Sequence, residues 1–136
     1  MKTSKITLGL FILITFISLN GFVTNVFAQK CATTVKNIYF VDSGKTVTEV
    51  HPGSNGGNGY QLNIMGTAVD KFELLPERYM PSVNVIPGYT NDTSAKWSVV
   101  FAGNKERKIS SVRMKNTCTG ESDSYKLDSP VTLLSQ

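Results

Sequence analysis

The sequence predicts an all-β domain, a single antiparallel β-sandwich of about seven to nine short strands. Short segments rich in Val, Ile, Thr, Tyr and Phe recur along the chain, and each ends near Gly, Pro, Asn or Asp. Several of these segments alternate apolar and polar residues, which is the period of a strand with one buried face. After residue 28, no segment keeps a helical spacing of apolar residues for more than about two turns.

The segments with the strand pattern follow one another at short intervals, as they do in a sandwich. They are residues 33–41, 46–50, 60–66, 70–75, 82–87, 97–103, 108–116, 124–128 and 131–134. Residues 69–79 are the best candidate for a helix, but Pro76 interrupts them. Strands that alternate with helices would have indicated parallel βαβ units, and the sequence lacks that pattern.

The alternation also predicts which side chains form the core. Trp97 is the expected centre, because its ring can fill the space between two sheets about 10 Å apart. Stacking of Trp97 on a ligand is the alternative, but its position in an alternating apolar run favours the core. The residues expected to lie on the buried faces of their strands are Tyr60, Leu62, Ile64, Val83, Val85, Trp97, Val99, Phe101, Val112 and Met114.

The first 28 residues have the composition of a secretory signal peptide. Lys2 and Lys5 precede an apolar run at residues 6–19. Val26 and Ala28 suit the positions three and one before a cleavage site, which places cleavage after Ala28. An uncleaved membrane anchor needs about 20 apolar residues, and Asn20 is among the polar residues that interrupt this stretch. We therefore predict cleavage, a folded domain at residues 29–136, and a secreted, extracellular or periplasmic protein that has no membrane contact after processing.

Charge restricts the class of partner. The whole chain carries a formal charge of +4, and the loss of Lys2 and Lys5 with the signal peptide reduces it to +2. This charge does not indicate nucleic acid, whose binding needs clustered Lys and Arg against many phosphates. Residues 105–108, Lys-Glu-Arg-Lys, are the densest charged group. We interpret them as a solvated turn, with an anionic partner such as an acidic glycan as the alternative.

The two cysteines predict one disulfide bond. Cys31 and Cys118 both belong to the mature part, and export delivers them to a compartment in which thiols oxidise. The bond would close a loop that covers most of the domain and would restrict the unfolded chain. A redox or metal role is disfavoured, because the chain has no Cys-x-x-Cys motif and a single histidine.

The C-terminal half reads WSVVFAGN at residues 97–104, followed by VRMKNTCTG at residues 112–120. It resembles the immunoglobulin-like modules of bacterial and archaeal surface proteins, especially PKD-type domains, although the acidic positions of their Trp-Asp-Phe-Gly-Asp-Gly motif are lost. Residues 57–67, GNGYQLNIMGT, are similar to a strand of IPT/TIG modules, another immunoglobulin-like family. These resemblances imply an immunoglobulin-like sandwich with an extracellular, non-catalytic binding or spacer role. They identify no site residues.

The sequence offers few parts for catalysis. His51 is the only histidine, no Gly-x-Ser-x-Gly motif occurs, and the disulfide accounts for both cysteines. Acidic residues at positions 70–77 and 121–128 are interpreted as solvated edges and turns. Calcium ligation by Asp92, Glu121 or Asp123 lacks the spacing of known loops. We predict a protein that is not an enzyme and has no catalytic residue, cofactor or metal.

Two loops carry the candidate binding residues. Residues 51–60, HPGSNGGNGY, contain Gly and Asn, which tolerate positive φ, so they predict a mobile connection between strands. A ligand-contacting loop at residues 52–59 is the alternative, since sandwiches bind through end loops. Residues 76–92 form a second loop, in which Tyr79, Met80 and Tyr89 are expected to be exposed. The candidate ligand-binding residues are Tyr60, which closes the first loop, Tyr79 and Tyr89.

Asn91 begins an Asn-Asp-Thr sequence, which is an acceptor for N-glycosylation in secreted proteins. Three functional hypotheses remain open at this stage. The preferred one is a secreted or surface-attached module that binds an extracellular protein or glycan. The others are a structural subunit of an extracellular assembly and an inhibitor or effector that acts through the glycine-rich loop.

Overall fold

The computed structural model describes residues 31–53 and 59–136. The chain divides into two units after Ala32, and the second of them, Thr33–Gln136, is compact. The signal peptide predicted at residues 1–28 lies outside the described residues. The strands of the second unit are β1 (Thr34–Asp42), β2 (Lys45–Thr46), β3 (Glu49–Val50), β4 (Tyr60–Thr67), β5 (Phe72–Leu74), β6 (Ser82–Val85), β7 (Ser94–Val100), β8 (Arg107–Asn116) and β9 (Ser122–Leu133).

The nine strands of the described residues form two sheets, which confirms the predicted β-sandwich. One sheet has the order β2-β1-β4-β7-β6, and the other has the order β3-β9-β8-β5. The only helical element in the described part of the chain is a 3₁₀ turn, Val69–Lys71, ahead of β5. No helix within the described ranges has the length and apolar character needed to cross a membrane.

The prediction of purely antiparallel pairing is wrong at one place. β3 runs parallel to β9, with Glu49 opposite Thr132. Residues 46–50 were expected to form one strand, but the chain changes sheets within them. The Val47 N–H donates to the Phe40 carbonyl of the first sheet, 3.0 Å away, while the Thr48 carbonyl accepts from Thr132 of the second, 2.8 Å away. This corner divides the segment into two short strands.

The core lies between the sheets and contains the side chains that the alternation predicted on β4, β7 and β8. Trp97 is buried and belongs to the apolar core, which confirms the prediction that its ring packs between the sheets. The ring of Phe101 meets those of Phe40 and Tyr60 edge to face, with centroids 5.3 and 5.5 Å apart. Such arrangements are the favoured ones for aromatic pairs.

The prediction of burial on β6 is wrong for Val85, while Val83 is partly buried and packs against the core. Val85 lies opposite Trp97 in the register of β6 and β7, so it is on the expected face, yet it is 55% exposed. β6 is the edge strand of its sheet, and the facing sheet ends at β5. A shallow groove between these two edges, lined by Leu74, Val83, Val85 and Trp97 among others, opens to solvent.

The last strand is longer than predicted. Residues 124–128 and 131–134 were expected to form separate strands, but β9 runs through both. The register of β8 against β9 changes between two pairs, Ile109 with Val131 and Ser111 with Lys126. The additional residues of β9 between these pairs form a bulge. Pro130 lies in this bulge, where its missing N–H removes no ladder hydrogen bond.

The bulge also places the carboxylate of Asp128 next to β1 of the other sheet. Asp128 Oδ1 accepts a hydrogen bond of 3.0 Å from the Ile38 N–H of β1, and its Oδ2 accepts one of 3.0 Å from Asn37 Nδ2. β2 is too short to reach Ile38, so this N–H would otherwise have no strand partner. Asp128 therefore joins the two sheets along one side.

Cys31 and Cys118 are disulfide-bonded, as predicted. Cys118 follows the end of β8 by two residues. The turn after β8 is organised by Asn116, which is 8% exposed. Its Oδ1 accepts from the N–H groups of Cys118 and Thr119 at 2.9 and 3.3 Å, and its Nδ2 lies 3.4 Å from Thr33 Oγ1. A buried side chain thus fixes the backbone that carries one half of the disulfide.

Candidate functional site

The described ends of the glycine-rich loop lie at the end of β7. The Gly53 N–H donates to the Phe101 carbonyl at 2.8 Å. On the other side of the loop, a Cβ added to Gly59 would lie 2.8 Å from the Val99 carbonyl oxygen, so glycine permits the close approach. Residues 54–58, the centre of the loop, lie outside the described residues, and the hypothesis of a ligand-contacting loop stays a prediction.

Tyr60 is not a surface residue, and its assignment as a candidate ligand-binding residue is corrected. It is 2% exposed, and its hydroxyl accepts a hydrogen bond of 3.0 Å from the His51 N–H. Its ring packs against Phe101. Tyr60 therefore contributes to the core and holds the start of the glycine-rich loop, and its ring is not open to a ligand.

The turn that carries Tyr79 is anchored by its neighbour. Met80 was expected to be exposed, but it is fully buried, because the backbone pairing of Glu77 with Met80 turns its side chain into the core. Tyr79 is half-buried, and its carbonyl accepts from the Ala102 N–H at 2.9 Å. The turn is thereby joined to the segment that follows β7.

Tyr89 lies at the opposite end of β6. It is 55% exposed, and its N–H donates to the Ile86 carbonyl at 3.3 Å. The ammonium of Lys96 lies 4.7 Å from the centroid of its ring. Because Tyr79 precedes β6 and Tyr89 follows it, the strand separates them. The two tyrosines do not belong to one site, and only Tyr79 shares an end of the sandwich with the described ends of the glycine-rich loop.

Asn91 is exposed beside the Tyr89 turn. Its Oδ1 accepts hydrogen bonds from the Thr93 N–H, the Thr93 hydroxyl and the Ser94 N–H at 2.9, 3.0 and 2.9 Å. This is the side-chain arrangement with which Asn stabilises turns. The contacts give Asn91 a structural role, and its glycosylation stays a prediction.

A cleft of about 770 Å³ opens at the Tyr79 end, where the turn before β6, the β7–β8 connection and the end of β9 meet. We call it the cationic cleft, because Arg78, Lys105 and Arg107 line it together with Tyr79. The other described lining residues, which include Asn104 and Gln136, have uncharged side chains. Its volume is within the range of sites for small ligands.

Arg107 connects the aromatic and cationic parts of this cleft. Its guanidinium lies 5.2 Å from the centroid of the Tyr79 ring, a cation–π contact that orients both side chains. Burial raises the pKa of the Tyr79 hydroxyl above its ordinary value, the charge of Glu77 raises it further, and Arg107 lowers it. The hydroxyl is therefore protonated at neutral pH and can donate a hydrogen bond.

The segment at residues 105–108 is exposed, as predicted, but it is not a turn throughout. Arg107 and Lys108 belong to β8, and only Lys105 and Glu106 precede the strand. Arg78 is the cleft residue that sequence reasoning missed. Its charge beside Tyr79 was a possible signal, but the spacing of 27 positions from Lys105 to Arg78 hides their proximity. Only the fold brings both to one cleft.

The residues considered for catalysis or metal binding occupy other places. His51 is exposed next to β3, and Asp128 holds β1 through two hydrogen bonds. Within residues 31–53 and 59–136, no group of three His, Cys, Asp or Glu side chains is arranged to hold a metal ion. Among the described residues, the cationic cleft combines three cations with an aromatic ring and an open volume.

Comparisons with protein-family models, with curated proteins and with solved structures found no match. The resemblance to PKD-type and IPT/TIG modules accordingly stays a prediction. The function proposed below rests on the cleft and on the frame that carries it.

Proposed function

We propose that the chain is a secreted or surface-attached binding module that holds an extracellular protein or glycan in the cationic cleft and performs no catalysis. The disulfide between Cys31 and Cys118 supports the location, because such bonds persist in oxidising compartments outside the cytosol. An immunoglobulin-like relationship, which the sequence motifs imply, would agree with this role.

The observation that carries the proposal is the composition of the cleft. Arg78 comes from the turn before β6, Lys105 from the β7–β8 connection and Arg107 from the start of β8, and all three line one volume with Tyr79. All three cationic side chains belong to exposed residues, so a partner can reach them. Charged side chains that converge on an open volume, with an aromatic ring beside them, are typical of recognition sites.

The frame supports the same function. The cleft is formed by connections at one end of a sandwich, and the core beneath them fixes their positions. Met80 anchors the Tyr79 turn, and Leu133 extends the core to the base of the cleft. Loops on a rigid frame bind with little loss of conformational entropy, because they are already ordered.

The proposal is tested with oxidised protein of residues 29–136 and a panel of immobilised extracellular glycans and matrix proteins. We expect Lys105→Gln with Arg107→Gln to weaken binding at least about tenfold, since each removes a charged contact. The matched control is Lys126→Gln with Arg113→Gln, which removes the same residue types from exposed positions outside the cleft. It should retain binding.

Two results would contradict the proposal. Absence of binding to every member of the panel would remove the binding function. Loss of binding on Tyr89→Ala, with full binding by the Lys105 and Arg107 variant, would move the site to the opposite end of the sandwich.

A further inference from the structure

We infer that the ligand of the cationic cleft is an acidic glycan, a sugar chain that carries carboxylate or sulfate groups. This inference rests on the proposed binding function and names the chemistry that the cleft recognises. Three features of the described residues support it: the charge balance of the cleft, the arrangement of its arginines, and its lack of apolar depth.

The charge balance favours an anionic group. The cleft collects Arg78, Lys105 and Arg107 in a chain whose predicted mature form carries a formal charge of only +2. Glu77 and Glu106 adjoin these residues in sequence, and neither lines the cleft, although the charge of Glu77 acts on the Tyr79 hydroxyl. No salt bridge between described residues neutralises the three cations. The positive potential is therefore available to a ligand.

The arginines provide directional contacts. A guanidinium donates paired hydrogen bonds to the two oxygens of a carboxylate or to two oxygens of a sulfate. Arg107 is already oriented by the Tyr79 ring, so less side-chain freedom is lost when it binds. The protonated Tyr79 hydroxyl and the amides of Asn104 and Gln136 add donors that suit the hydroxyl groups of a sugar.

The shape of the cleft favours a glycan over a peptide or nucleic acid. Peptide recognition depends on aromatic or aliphatic anchors that fill apolar pockets. Here Leu133 is buried below the cleft and Ala102 is small, so no deep apolar pocket opens among the described lining residues. Nucleic-acid binding relies on the neutralisation of many phosphates by Lys and Arg, and the three cations of the cleft supply few such contacts. A chain of hydrophilic rings with anionic groups fits an open cleft with polar walls.

The experiment measures binding of the protein to polygalacturonate, chondroitin sulfate, dextran and poly-glutamate. The protein carries a short Gly-Ser extension after Gln136, so that a terminal carboxylate does not lie in the cleft. We expect binding to polygalacturonate or chondroitin sulfate and none to dextran. The comparison of the first two separates carboxylate from sulfate recognition. Binding should weaken several-fold between about 0.1 and 0.5 M salt, because exposed charge contacts are screened.

Variants connect the binding to the cleft. Arg78→Gln added to Lys105→Gln and Arg107→Gln should reduce affinity for the acidic glycan by about a hundredfold or more. The control with Lys126→Gln and Arg113→Gln should remain within about twofold of the original protein. Circular dichroism spectra and thermal unfolding confirm that the variants are folded, which is expected because the substituted residues are exposed.

The outcomes separate this inference from the proposed function. Binding to dextran that is insensitive to salt, or binding to matrix proteins alone, would overturn the acidic glycan and leave the binding function intact. Stronger binding to poly-glutamate than to either acidic glycan would replace the glycan by an acidic peptide. Absence of binding to all glycans and proteins would overturn both.

Discussion

The two ends of the sandwich use their polar side chains in opposite ways. At the cross-linked end, which contains the 3₁₀ turn, Asn91, Asn116 and Cys118, these side chains bond to the backbone around them. The Thr117 N–H and hydroxyl both donate to the Lys71 carbonyl, at 2.8 and 2.9 Å, and Asn91 and Asn116 each organise a turn. At the other end, the cations of the cationic cleft point into an open volume.

This difference indicates how stability and binding are divided within a small domain. Side chains whose hydrogen bonds are satisfied inside the protein fix the chain, but they have little capacity left for a ligand. Arg78 and Lys105 have that capacity, since solvent satisfies them until a partner replaces the water. We therefore expect substitutions at the cross-linked end to change the free energy of unfolding, and substitutions at the cleft to change affinity.

The largest expected effect is the loss of the disulfide at the cross-linked end. Cys31→Ser with Cys118→Ser should reduce the free energy of unfolding by about 2 to 5 kcal/mol, because the unfolded chain is no longer constrained by a long loop. Urea denaturation of the original protein with and without reductant measures the same difference. Equal stability of the oxidised protein and the double variant would contradict the structural role of the bond.

Gly66 gives the next effect. A Cβ at this position would collide with the Thr34 carbonyl oxygen, where β4 meets the irregular start of β1. Gly66→Ala should therefore cost about 3 kcal/mol, as forced overpacking does. The control is Gly44→Ala in the β1–β2 turn, where a Cβ meets no atom but φ is +80°, and about 1 kcal/mol is expected. If chemical denaturation shows a larger loss of stability for Gly44→Ala than for Gly66→Ala, this comparison is rejected.

Asn116 and Asn104 form a matched pair, one at each end. Asn116→Ala leaves the N–H groups of Cys118 and Thr119 without their acceptor and should cost about 2 kcal/mol. Asn104→Ala, at an exposed position of the cationic cleft, should change stability by less than about 0.5 kcal/mol. The midpoints of urea denaturation compare them directly, and similar losses would show that the two ends do not differ.

The smallest effect on stability is expected in the cationic cleft itself. The combined substitution of Arg78, Lys105 and Arg107 by Gln should change the free energy of unfolding by no more than about 1 kcal/mol. The Arg107–Tyr79 contact is an exposed cation–π interaction that contributes about 1 kcal/mol. Removing the three cations also removes their mutual repulsion, which offsets part of this loss. A loss of several kcal/mol would mean that these cations serve the fold and would weaken the case for binding.

The local pattern was sufficient to predict the strands in which packing agrees with alternation. Residues 60–66 and 108–116 were predicted almost to their ends, because β4 and β8 lie inside their sheets and bury one face along their length. The pattern was insufficient at β6 and β9. The alternation of β6 predicts that Val85 is buried, but the edge of the sheet at this strand is not covered and Val85 is exposed. The bulge around Pro130 depends on the pairing of β9 with β8.

The candidate site could be predicted only in pieces. Tyr79 and the basic segment at residues 105–108 were identified separately. Tyr60 was named as a candidate ligand-binding residue because it closes the glycine-rich loop, although the alternation of its strand also placed it on the buried face. Its burial follows from the contact with Phe101, which is distant in sequence. The sequence also did not indicate that Tyr79 and Tyr89 lie at opposite ends.

The sequence by itself determined the class of fold, the burial of Trp97 in the core and the disulfide, because period-two alternation and cysteine pairing are properties of short segments and of composition. The tertiary structure decided which strands are edges, where the chain changes sheets, and that Arg78, Tyr79 and Arg107 line one cleft. These features depend on the pairing of residues far apart in the chain, and no local pattern of side chains specifies which distant partner a strand will meet.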